Sequence, residues 1–118
     1  MNNMELKARV AEAMDNLISA EGYAAPVDVL IEIGILSKKD HDEWRSGKVQ
    51  YLERVCRANL SKLSLVMHEV RSYAVKNGLK PSWTAYIHKG KPLRFSKSSD
   101  EKIERSYATH FVRNKKAD

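Results

Sequence analysis

The sequence predicts a mainly α domain with one β-hairpin, an α+β fold. Four or five helices surround a long central one, and the hairpin lies between that helix and a C-terminal helix. Three observations predict this. Apolar residues recur every three or four positions over most of the chain. Beyond Pro81 that period gives way to alternation by two. The five glycines, Gly22, Gly34, Gly47, Gly78 and Gly90, act as stops or turns. At 118 residues the chain suits one domain, taken as residues 1–113, with a disordered basic tail at 114–118.

The first helix is set by Leu6, Val10, Ala13, Met14, Leu17 and Ile18, the stripe of an amphipathic helix. Asn2 or Asn3 can cap it, and Gly22 ends it. A second helix begins with Pro26 near its first turn, where a missing N–H costs nothing, and stops at Gly34. Ser37, with Asp40 three residues on, opens a third that ends at Gly47. The long helix is expected from about Val49 to Lys76, with Leu52, Cys56, Leu60, Leu63, Met67, Val70 and Tyr73 on its inner face. Gly78 caps it and Pro81 prevents continuation.

Trp83, Ala85 and Ile87 then alternate with Thr84, Tyr86 and His88, and Leu93 and Phe95 alternate with Arg94 and Ser96. Pairing Ile87 with Leu93 and Ala85 with Phe95 gathers every apolar residue on one face, so this register is expected. Trp83 and Phe95 would be buried, and Tyr86 and Arg94 exposed. A last helix should start near Ser98, with Glu101 completing a capping box and Ile103, Tyr107, His110 and Phe111 facing inward.

The charge is unevenly divided. Residues 1–47 carry five Lys/Arg against nine Asp/Glu, net −4, and residues 48–118 carry sixteen against six, net +10. No acid occurs between Glu69 and Asp100. Either an anionic partner meets the basic half, or the two halves attract each other within one fold. The single cysteine, Cys56, leaves no internal disulfide and fits a reducing compartment. The start, MNNMELKARV, has no apolar signal-peptide core, and VDVLIEIGIL is far short of the ~20 residues of a membrane span. A cytoplasmic protein without a membrane partner is expected.

Two sets of residues suit anions. One is the outer hairpin face, with Tyr86, His88 and Arg94 flanked by Lys89, Lys91 and Lys97. There, lysines supply point charges, Arg94 can take a phosphate bidentately, and Tyr86 can stack on a base. The other is a stripe on the long helix, Arg54, Arg57, Ser61, Ser64, His68 and Arg71, spaced to share one face. The competing expectation is a solvated helix back, or a stripe facing acids such as Glu5 and Glu12.

Other chemistries find little support. Residues 26–47 have a helix-turn-helix outline, but Lys38, Lys39 and Arg45 are balanced by Asp40, Asp42 and Glu43, which argues against groove insertion. His41, His68, His88 and His110 are scattered, so no metal site is expected. Cys56 should pack as a small hydrophobe, and Ser61, Ser64 and His68 lack an acid to orient the imidazole. No glycine-rich phosphate loop occurs. Neither catalytic residues nor a cofactor nor a small-molecule substrate is indicated.

The wording WR-x-GKV-x-YLERVC, KPSWTAY and LRFSKS, within residues 22–113, resembles a family of small uncharacterised bacterial proteins. The resemblance implies a bacterial cytosolic origin and one intact domain, and it transfers no functional residue. Two functions are expected from different classes. The first is a nucleic-acid-binding or regulatory accessory protein using the basic hairpin face. The second is a protein-interaction module or homodimer with acidic N-terminal and basic C-terminal surfaces and no catalysis.

Overall fold

The computed structural model describes residues 1–114, so residues 115–118 of the expected tail lie outside it. The fold is α+β, with five helices and two small antiparallel sheets. Helix α1 spans Asn3–Glu21. The Asn2 side chain accepts from the Glu5 amide at 2.8 Å, and Gly22, at φ 80°, closes the other end on the Ile18 carbonyl. Its stripe of Leu6, Val10, Ala13, Met14 and Leu17 is buried against α4, Leu60–Lys76. Helix α4 answers with Leu63, Val66, Met67, Val70 and Ala74. At roughly 1.5–3 kcal/mol for each large apolar side chain, this pair forms the centre of the core.

Helix α2, Pro26–Glu32, and helix α3, Lys38–Arg45, start where the sequence places them. The Ser37 hydroxyl accepts from the Asp40 amide at 3.1 Å and caps α3. From α3, Trp44 is wholly buried, and its indole N–H donates to the Arg94 carbonyl at 2.8 Å.

Three expectations are corrected. The long helix does not begin at Val49. A 3-10 turn covers Leu52–Val55, the chain is then non-helical, and α4 starts only at Leu60. The amides that would have closed those helical turns are committed elsewhere: Leu52 and Glu53 donate to the carbonyls of Arg94 and Phe95 (3.1 and 2.9 Å), and Arg57 to that of Ile35 (2.8 Å). Asn59 caps α4 by accepting from the Lys62 amide at 2.9 Å, a bond that competes with helix continuation.

The hairpin register is also different. Strand β3, Ile87–His88, pairs with β4, Lys91–Pro92, with Ile87 opposite Pro92 and His88 opposite Lys91. Lys89 and Gly90 form the connection at φ 51° and 78°. Two consecutive left-handed residues make a type I′ turn, whose twist matches the strands and whose two-residue length fixes the register. The apolar alternation alone required a three-residue loop. Consequently Ile87 is 50% exposed while Tyr86 turns inward; Trp83, outside this hairpin, is 65% exposed against expectation, and Phe95 is buried as expected.

The C-terminal helix, α5, spans Glu101–Ala108 and stops before His110 and Phe111. Its cap is Asp100, accepting from the Lys102 and Ile103 amides, rather than Ser98. Thr109–Val112 instead form strand β5, at the centre of a three-stranded sheet. β5 pairs with β1, Tyr23–Ala24, and with β2, Lys80–Trp83; Ala24 faces Phe111 and Trp83 faces Thr109. The run Thr-His-Phe-Val favours a pleated surface as well as it continues a helical stripe, and two strand partners decide the matter.

Candidate functional site

The segment between the hairpin and α5 is held by two carboxylates. Glu104 accepts from the amides of Phe95 and Ser96 at 2.9 and 2.7 Å and from the Ser96 hydroxyl at 2.6 Å. Glu53 accepts from the Tyr107 hydroxyl at 2.9 Å and from the Lys97 amide at 3.2 Å. Phe95 stacks on Tyr107, with ring centroids 5.4 Å apart. Its backbone so tied, this basic segment passes through the fold with the Lys97 side chain left outside.

Beside it, α4 and α5 leave an open groove of about 650 Å³. Leu63, Ser64, Met67 and Arg71 line one wall, at spacings that keep them on one helix face. Lys102, Ile103 and Ser106 line the other, and Lys97 closes an end. Arg71 reaches across to donate to the Ser106 hydroxyl at 3.3 Å. Arg71, Lys97 and Lys102 are exposed, as are the apolar Leu60 (63%) and Ile103 (40%). Three cations thus rim an apolar floor. No known family, curated protein or solved structure matches the chain. The groove must therefore be read from its own chemistry.

Of the expected anion-binding residues, Arg71 and Lys97 come together here, with Ser64 of the same stripe on the groove wall. The stripe on the long helix is broken, because Arg54 lies on the 3-10 turn and Arg57 in the non-helical stretch. Arg54 makes only a long contact, 3.5 Å, with the Gln50 side chain. Arg57 lines a separate small hollow near Met1 and Lys62.

The outer hairpin face is dismantled as well. Arg94 donates to the carbonyls of Ser96 and Lys97 at 3.1 and 2.6 Å, and its guanidinium lies 5.3 Å from the centre of the Tyr51 ring. His88 lies against Gly47, where a Cβ would come within 2.8 Å of the imidazole, so the hairpin rests on the end of α3. Lys89 and Lys91 remain exposed near the turn.

Tyr86 sits in an aromatic nest with Trp44, Phe95 and His110. Its hydroxyl shares a 2.7 Å hydrogen bond with His110 Nε2, and Arg45 lies over its ring at 5.1 Å. Burial pushes the phenol well above its ordinary range. Burial also lowers the His110 pKa and raises that of Asp28, the acid that acts electrostatically on His110. No base can stack on this tyrosine without opening the nest. Among the described residues, no three His, Cys, Asp or Glu side chains gather as a metal site would.

Lys102, Ser106 and Glu53 were missed in the sequence. One signal was available: Lys102 and Ser106 are four residues apart and share a face of α5. That this face meets Arg71 is a matter of helix packing, which no local pattern encodes.

Charge is also distributed as the sequence could not tell. Among the described residues the one ion pair between Lys or Arg and a carboxylate is Lys38 with Asp42 at 2.8 Å, and both lie in the acidic half. Helix α1 meets α4 through the Tyr73 hydroxyl donating to Asp15, not through Glu5 or Glu12 on an arginine. Among the described residues, no carboxylate of the acidic half therefore forms an ion pair with a Lys or Arg of the basic half.

Proposed function

We propose that the protein is a nucleic-acid-binding accessory protein that holds phosphates on its basic C-terminal half, with the groove between α4 and α5 as the contact. The observation that carries this reading is the excess of cations without carboxylate partners, three of them around one groove. Arg71 can present two parallel donors to one phosphate, while Lys97 and Lys102 add point charges. Such contacts position a nucleic acid and carry little sequence preference. A cytoplasmic setting goes with this reading, supported by a lone cysteine.

A protein-interaction module is the second reading, favoured by one observation. Trp83, Ile87, Pro92 and Leu93 line a second groove of about 530 Å³ on the hairpin side, with Trp83 and Ile87 largely exposed. Titration of labelled short duplex DNA against the protein, over a series of salt concentrations, separates the two. Three phosphate contacts give a log–log salt slope of about −2.7, at roughly −0.9 per phosphate. Arg71→Ala with Lys97→Ala and Lys102→Ala should abolish most of that slope, whereas Lys89→Ala with Lys91→Ala should leave most of it. Failure of both duplex and single-stranded oligonucleotides to bind at tens of micromolar protein would sink the nucleic-acid reading. A dimer insensitive to salt in sedimentation would then support the module.

A further inference from the structure

The groove between α4 and α5 joins two chemistries that a duplex cannot satisfy together. Its rim is cationic, with Arg71, Lys97 and Lys102, and its floor and edges are apolar, with Leu60, Met67 and Ile103. A duplex offers phosphates to the rim but keeps its base faces stacked inside. We propose that the groove takes an unpaired nucleotide of a single strand, with the base against the apolar floor and the flanking phosphates on the cations. This rests on the nucleic-acid reading and names the form of nucleic acid that this groove selects.

Size, charge and layout support the assignment. A volume of about 650 Å³ lies within the roughly 300–1,000 Å³ of sites that take small molecules, which leaves room for one nucleotide. Glu53 is the one acid lining the groove, and its two oxygens already accept from Tyr107 and from the Lys97 amide. Lys102 precedes Ser106 by about one helical turn, roughly 6 Å along the axis. Since Arg71 bonds to Ser106, the two cations mark separate stations for successive phosphates. Leu60 and Ile103 are exposed apolar side chains on the groove, and a base laid over them would remove that apolar surface from water.

The test compares a mixed-sequence single strand with a duplex carrying the same number of phosphates, both labelled, at one low salt concentration. Variants at Leu60 and Ile103 suit this purpose because both side chains are exposed, so polar replacement spares the core. The single strand should bind about five- to tenfold more tightly, as removing about 50 Å² of apolar surface from water would give. Leu60→Ser with Ile103→Ser should remove that advantage while leaving duplex affinity unchanged. Arg71→Ala should weaken both ligands. Equal affinity for the two ligands, or an advantage that survives the Leu60→Ser and Ile103→Ser pair, overturns the groove assignment and leaves phosphate binding standing. Absence of binding by either overturns the nucleic-acid reading itself.

Discussion

Cys56 shows how a single side chain can keep its expected character after losing its expected place. It lies at the end of the 3-10 turn rather than on a helix face, half-buried, with its thiol directed to the Leu52 carbonyl at 3.5 Å. Burial, aided by the Glu53 charge, pushes the thiol up to about 12. Only the thiolate is a good nucleophile, so little of it is present at neutral pH. Labelling of the native protein by a thiol reagent should be slow and should accelerate sharply on unfolding. Cys56→Ala should cost about 1 kcal/mol in denaturant unfolding, as a small truncation beside the core does. Native labelling as fast as that of a free cysteine would mean that the 3-10 turn opens readily.

At the scale of an element, the hairpin shows local backbone preference overruling side-chain pattern. A face carrying Ala85, Ile87, Leu93 and Phe95 looked sufficient to choose the register. The Lys89–Gly90 turn chose another, because two residues with positive φ close a hairpin at one length only. The turn predicts its own mutants. Gly90→Ala places a Cβ in the left-handed region and should destabilise by about 1–2 kcal/mol. Lys89→Asn should stabilise by a few tenths of a kcal/mol, since Asn tolerates φ near 51° better. Opposite signs for the two in equilibrium unfolding support the turn, and a neutral Gly90→Ala counts against it.

The first three helix starts were legible because they depend on neighbours within four residues. Asn2, Ser37 and Pro26 begin their helices as anticipated, and Gly22 ends α1. The stretch from Val49 to Asn59 was not legible, since amides bonded to Ile35, Arg94 and Phe95 depend on remote parts of the chain. The site followed the same division. Arg71 and Lys97 were anticipated as cations, but the side chains that join them in one groove come from α5.

For the whole molecule, stability should depend on pH through the half-buried cluster that joins β1, α2, α3, the hairpin and β5. His110 faces the Tyr86 hydroxyl and stacks on Tyr23 at 5.7 Å, with Asp28 acting on it electrostatically and His41 acting on Asp28. Its folded pKa is lowered, so the unfolded chain takes up the proton first as pH falls. The stability it contributes is complete above the ordinary histidine value of about 6.5 and is lost as pH falls through its lower folded value. Asp28 works with the opposite sign: its raised carboxyl gives stability below the ordinary aspartate value of about 3.9, and this is lost as pH rises through the folded value. The melting temperature should therefore drop between pH 7.5 and 5.5, and His110→Gln should reduce the drop. An identical drop in the variant would remove His110 from the account.

By itself the sequence determined the helices that local caps and stripes define, the existence of a hairpin near Gly90, the inert character expected of Cys56 and the excess of cations beyond Lys48. Each follows from interactions spanning a few residues, or from composition. Tertiary structure alone decided that Thr109–Val112 is a strand, that Tyr86 turns inward, and that Arg71, Lys97 and Lys102 meet over an apolar floor. The physical reason is the same each time. A strand or an aromatic ring takes the best partner that folding brings to it, and for the Tyr86 hydroxyl that partner lies 24 residues away.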